Sequence, residues 1–244
     1  RIEKRAGACT HYAMMDEFAK WRGFDQLFLD LMDRPEWVHQ VMERMYQGAV
    51  VRHEAMIKSG LVTLNNRNHY TGSGGNGYTR QLPAKGFGGV HVRAQDLWGM
   101  ATTQIFSEVS PDMHEEFALQ YERRYLARFG LNCYGCCEPL HNKMDIVKKI
   151  ANLRRISISP WADIRKSAAA LGNRYVFSWK PNPAVMAGET WDPAAIRKNI
   201  RETLEATRGC VVEMVMKDTH TCRNKPQRMW EWVRIAREVA GEFG

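Results

Sequence analysis

Apolar residues first recur at helical spacing as Phe28, Leu31 and Met32, and then, beyond a break at Arg34-Pro35-Glu36, as Val38, Val41, Met42 and Met45. Proline suits a first helical turn, where its missing N–H has no partner to lose, so residues 24–59 are predicted to form a helix pair that Gly60 ends. Leu61-Val62-Thr63-Leu64 reads as a short buried strand opening into Asn65, Asn66, Asn68, His69 and Tyr70. The apolar period then vanishes through Gly72-Ser73-Gly74-Gly75-Asn76-Gly77 and Lys85-Gly86-Phe87-Gly88-Gly89. A loop of that length is predicted to be a mobile flap over a site. Gly72, Gly74 and Gly77 match G-x-G-x-x-G, but the Tyr78-Thr79-Arg80-Gln81-Leu82-Pro83 that follows does not open the helix a dinucleotide site needs.

Beyond Ser110-Pro111, which caps a helix bearing Met113, Phe117, Tyr121 and Tyr125, the rhythm becomes regular. Strands are predicted at Leu131 to Tyr134, Arg155 to Ser159, Tyr175 to Trp179 and Cys210 to Met216, alternating with helices near 139–151, 162–171, 193–207 and 226–240. Such alternation argues for a parallel sheet. Polar residues follow every strand, as on the catalytic face of a (β/α)8 TIM barrel, whereas a doubly wound sheet would concentrate chemistry at one switch point. The fold expected is α/β, a single barrel domain over residues 1–244, either whole or lacking its first strands and forming the C-terminal two thirds of a full barrel.

Composition narrows the setting. The 244 residues, 44% hydrophobic and 25% charged, can bury a sizeable core. A net charge of +8 is scattered among acidic residues along helices rather than gathered in a block, which argues against a nucleic-acid partner and leaves room for anionic ligands. No apolar run reaches membrane-spanning length, and six cysteines without a secretory signal read as thiols or ligands rather than a disulfide framework. The expectation is a cytoplasmic protein without membrane contact. A barrel lacking strands would expose sheet edges and pair, so a homodimer is also expected.

The candidate chemistry sits in two stretches that each follow an apolar run. One is Asn132-Cys133-Tyr134-Gly135-Cys136-Cys137-Glu138-Pro139-Leu140-His141; the other is Lys217-Asp218-Thr219-His220-Thr221-Cys222. Together with the Ser110-Pro111 helix, the strand Arg155 to Ser159, and the strand ending in Lys180-Pro181-Asn182-Pro183, their order resembles the uroporphyrinogen decarboxylase superfamily from about residue 25 onward. That group includes corrinoid-dependent methyltransferases that use zinc. The decarboxylases' N-terminal arginine-rich motif has no match here, because the chain begins downstream of it or because the substrate is not a porphyrinogen. The methyltransferases' His-x-Cys zinc pair aligns with Asn132 and Tyr134, so those ligands are missing, while His220 matches the histidine that ends the family's last strand.

The resemblance implies a methyltransferase acting on a small methylated or methoxylated substrate, with zinc and with a corrinoid on a partner protein. Cys136, Cys137, Glu138, His220 and Cys222 supply the thiolate, carboxylate and imidazole groups zinc takes. Glu138 and His220 serve equally as the acid and base of a metal-free lyase. A barrel that only binds its ligand is the third reading. Substrate contacts are assigned to Asn65, His69, Trp98, Gln104, Trp161, Lys180, Asn182 and Lys217, with a Lys217-Asp218 salt bridge orienting His220.

Overall fold

The computed structural model describes residues 10–244. Its centre is a sheet of six parallel strands in chain order: β1 (His11–Tyr12), β2 (Trp98–Ala101), β3 (Leu131–Tyr134), β4 (Leu153–Ile158), β5 (Val176–Trp179) and β6 (Val211–Met214). Parallel strands laid down in sequence and separated by helices make an α/β fold, a parallel sheet flanked by helices. Among the described residues β1 and β6 are the sheet edges and do not pair with each other.

Helices α1 (Met14–Arg22), α2 (Phe24–Asp33) and α3 (Pro35–Lys58) precede β2; the pair predicted over residues 24–59 is α2 and α3, α1 comes before it, Gly23 at φ 86° turns the corner between α1 and α2, and Pro35 opens α3. After β2, α4 (Pro111–His114) starts where Met113 N–H donates to Ser110 Oγ at 3.2 Å, and it runs through a π-helical stretch, Glu115–Leu119, into α5 (Gln120–Leu126). Then come α6 (Met144–Val147), α7 (Ile164–Leu171), α8 (Ala184–Ala187), α9 (Pro193–Ala206) and α10 (Gln227–Gly241). The helix predicted near 139–151 shrinks to the single turn of α6, whose N-cap Lys143 sits outside the helical region at φ −118°, ψ 6° and donates its ammonium to the Phe106 carbonyl. Ile156, Ile158, Phe177 and Trp179 pack with Leu171, Ile196 and Ile200 in the helix-covered core. Among the described residues no helix is long and apolar enough to cross a membrane.

Two expectations are corrected. Leu61–Leu64 is not a strand of the sheet, since the places on either side of β2 are taken by β1 and β3. The glycine-rich segment is not a free flap, since its first half is seated on the sheet face opposite the helices. Arg155 donates to Thr71 Oγ1 at 2.8 Å and to the Asn76 carbonyl at 2.7 Å, and the hydroxyls of Ser73 and Ser157 meet at 2.9 Å. A Cβ on Gly72 would lie 2.6 Å from Met100 Sδ, so its lack of a side chain is what lets the backbone approach the sheet.

One buried carboxyl lies behind β3. Glu122 accepts hydrogen bonds from Tyr134 at 2.7 Å and Thr103 at 2.8 Å, and His114 Nε2 meets the Tyr134 hydroxyl at 2.7 Å. Burial pushes Glu122 from 4.5 up to about 8, against the pull of those hydroxyls, and depresses His114 to about 3. The folded state therefore holds a proton on Glu122 that the unfolded chain releases above pH 4.5, so the Glu122 contribution to stability falls as pH rises from about 4.5 to about 8. Urea denaturation across that range should show Glu122→Gln losing less than the parent. The difference should be at least about 1.4 kcal/mol, the equivalent of one pKa unit.

Candidate functional site

At the end of β3 the chain turns at Gly135, where φ is 88° and a Cβ would lie 2.6 Å from Leu140 Cδ1. The turn is pinned from below. Cys136 N–H donates to Glu138 Oε2 at 2.9 Å, Thr102 donates to Glu138 Oε1 at 2.7 Å, and Ser157 donates to the Cys136 carbonyl at 2.8 Å. The Cys136 and Cys137 sulfurs are thereby held at the sheet mouth, 3.7 Å apart.

Lys217 reaches them from the chain beyond β6. Its ammonium is 3.0 Å from Cys136 Sγ, 3.4 Å from Cys137 Sγ and 3.1 Å from Asp218 Oδ2. β4 and β5 separate β3 from β6, a span of about 14 Å on a flat sheet. The Lys217 side chain, reaching back from the chain beyond β6, makes the contact.

The electrostatics divide the two thiols. The hydrogen bond from Cys137, helped by Lys217 and opposed by burial, depresses Cys136 to about 6, while the same bond and burial push Cys137 well above the ordinary thiol value. The ionised form is thereby favoured on Cys136, nearer Lys217, while Cys137 has Asp218 Oδ2 at 3.5 Å as an acceptor. Burial alone would lower Lys217, but its bond to the Cys136 sulfur and the charge there outweigh this and keep it protonated. Glu138, wholly buried beneath the turn, is pushed up to about 7 by desolvation, against its two donors.

Of the residues predicted to act, Cys136, Cys137, Glu138 and Lys217 come together. The Lys217–Asp218 ion pair forms, but it faces the thiols; His220 is exposed and has no hydrogen bond or ion pair among the described residues. Cys222 is a half-buried free thiol. Sulfurs 3.7 Å apart suit an edge of a tetrahedral site with metal–sulfur bonds of about 2.3 Å. However, an ammonium already faces both sulfurs, and no three His, Cys, Asp or Glu side chains among the described residues are grouped to hold a metal ion. The five residues expected to hold zinc are not gathered into one such group among the described residues.

The predicted substrate residues have other positions. Asn65 clamps the backbone of Trp98, accepting from its N–H at 2.9 Å and donating to its carbonyl at 3.0 Å. Trp98 donates Nε1 to the Gly77 carbonyl at 3.0 Å and stacks under Arg155. Lys180 is buried and donates to the carbonyl and hydroxyl of Ser178; desolvation lowers it to about 8. Asn182 caps α8 through Ala184 N–H at 2.9 Å, while His69, Gln104 and Trp161 are exposed and away from the thiols' hydrogen-bond network.

Sequence reasoning missed Ser73, Ser157, Arg155 and Glu213, which line the face under the glycine segment, with Arg155 2.8 Å from Glu213. Charged residues inside otherwise apolar strand runs were the available signal. A hollow of about 630 Å³ opens beside the β6 edge, between Asn76, Tyr78, Glu213 and Trp232; neither Cys136 nor Cys137 lines it. No protein-family model matches this chain, and no curated protein sequence matches it.

Proposed function

We propose that this chain is an enzyme on a barrel of the uroporphyrinogen decarboxylase type. It takes a methyl group from a small methylated or methoxylated substrate onto the Cys136 thiolate. The observation carrying this reading is the pair of sulfurs 3.7 Å apart with the Lys217 ammonium at 3.0 Å from Cys136 and 3.4 Å from Cys137, which favours a thiolate on Cys136 at the sheet mouth. Lowered thiol pKa values beside a cation are the mark of reactive cysteines. The pair Glu138 and His220 is less well supported as acid and base, because Glu138 is committed to the turn beneath Cys136.

In the step proposed, Cys136 Sγ bonds to the methyl carbon as the bond from that carbon to the substrate heteroatom breaks. The departing atom keeps the electron pair and takes the Cys137 proton. Negative charge passes from one sulfur to the other, and Lys217 remains within reach of both. Turnover then needs a second nucleophile to remove the methyl from sulfur, the chemistry that a reduced corrinoid on a partner protein supplies. Candidate donors carrying an isotopically labelled methyl group should leave one labelled methyl on the Cys136 peptide, seen by mass spectrometry. Cys136→Ser should abolish the label and Cys222→Ser should not. Turnover that survives in Cys136→Ser would sink the reading.

A further inference from the structure

The same two sulfurs have a second property that does not depend on methyl transfer. They belong to adjacent residues, are half-buried rather than sealed, and stand 3.7 Å apart, a distance fixed by the Gly135 turn and by the bonds from Ser157 and to Glu138. An atom bonded to both at about 2.3 Å would see them at roughly 107°. That angle is bent, so a centre that takes two thiolates in line does not fit.

The surroundings select further. Zinc would bring two positive charges against the Lys217 ammonium and would need donors that do not converge there. An uncharged pyramidal centre that carries its own third substituent meets neither objection. It needs two sulfurs, and it leaves the ammonium to pair with Asp218 at 3.1 Å. Soft thiolates are also the ligand class that prefers such a centre over hard oxygen-bound cations.

We infer that Cys136 and Cys137 form a bidentate site for monosubstituted trivalent arsenicals, R–As(OH)2. Two arsenic–oxygen bonds break and two arsenic–sulfur bonds form. The two hydroxyls leave as two waters, taking one proton from Cys137 and one from solvent, since Cys136 enters as the thiolate. Arsenic stays trivalent, so no oxidant or reductant is required. Cys133 takes no part, because it lies sealed beneath the glycine segment, where burial pushes its thiol up to about 11.

The test uses the reduced full chain and phenylarsine oxide, followed by intact-protein mass spectrometry and by counting the thiols left free. The expected result is one adduct per chain with the loss of two thiols, reversed by a small dithiol. Affinity should fall at least 100-fold in each of Cys136→Ser and Cys137→Ser and stay unchanged in Cys210→Ser and Cys222→Ser. Circular dichroism of the serine variants establishes that they fold. Absence of an adduct on the parent, or binding by Cys136→Ser or Cys137→Ser as tight as the parent's, would overturn the inference. Binding is read without turnover, so an arsenical adduct with no methyl labelling defeats only the methyl-transfer reading, and the converse defeats only this one.

Discussion

Removing both partners of the Cys136 sulfur, by Cys137→Ala with Lys217→Met, should slow its alkylation by iodoacetamide at pH 5.5 by roughly tenfold or more and speed it at pH 9. The sign follows from two opposed effects. In the parent, Cys136 titrates near 6 and is already partly ionised at the lower pH. An unassisted thiol titrates near 8.5, so the variant has on the order of 200-fold less thiolate there. Its thiolate is intrinsically the stronger nucleophile, however, with reactivity rising by about 0.4–0.5 log unit per pKa unit, which recovers roughly tenfold. At pH 9 both forms are mostly ionised and only the second effect remains. The rate profiles should therefore cross between the two pH values. Each single variant should lie between parent and double, with Cys137→Ala the larger change because its hydrogen bond is the leading cause of the depressed pKa. Profiles that move in parallel, without crossing, would mean that Lys217 and Cys137 position Cys136 but do not set its ionisation.

How far the sequence revealed this site depends on whether the relevant contacts are local. β3, β4, β5 and β6 were legible because each is an apolar run with a polar residue just beyond it, and that pattern survives in one dimension. β1 and β2 were not. β2 contains Gly99, which reads as a strand breaker but is required in space, because a Cβ there would lie 2.4 Å from Phe129 and 2.6 Å from Asn132 Oδ1. The two chemical stretches were legible as stretches, yet their partner was misassigned. Residue type favoured His220 over Lys217, while the chain turns at Asp218, at φ 57°, leaving Lys217 against the thiols and His220 exposed. Asn65 and Trp98 looked like pocket residues because amides and indoles suit ligands. Asn65 is instead spent on the Trp98 backbone 33 residues away and the Trp98 indole on the Gly77 carbonyl 21 residues away, pairings that no local pattern encodes.

The glycine segment is the part whose reading changed most, and Gly77→Ala should expose that change as a loss of about 3 kcal/mol or more in urea denaturation. A Cβ at position 77 would lie 1.9 Å from the Asn65 carbonyl oxygen and 2.8 Å from Thr71 Cγ2. The nearer obstacle is backbone, so no rotamer change relieves it. Neither side can easily withdraw: Asn65 holds both backbone groups of Trp98, and Trp98 and His69 in turn fix Gly77, through its carbonyl at 3.0 Å and its N–H at 3.0 Å. A mobile flap would tolerate the extra methyl at almost no cost. Gly48→Ala makes the contrast, since Gly48 lies within α3 with nothing within 4 Å of its added Cβ, and alanine there should stabilise by about 0.5–1 kcal/mol. The effect of Gly77→Ala should also reach the thiols. Gly74 of the same segment would put a Cβ 3.4 Å from the Lys217 Cβ, and Ser73 touches the Ser157 that holds the Cys136 carbonyl. Lifting the segment should therefore loosen both anchors of the pair, and iodoacetamide reactivity of Cys136 at pH 5.5 should fall in Gly77→Ala under conditions where the variant is still folded, and remain at the parent value in Gly48→Ala.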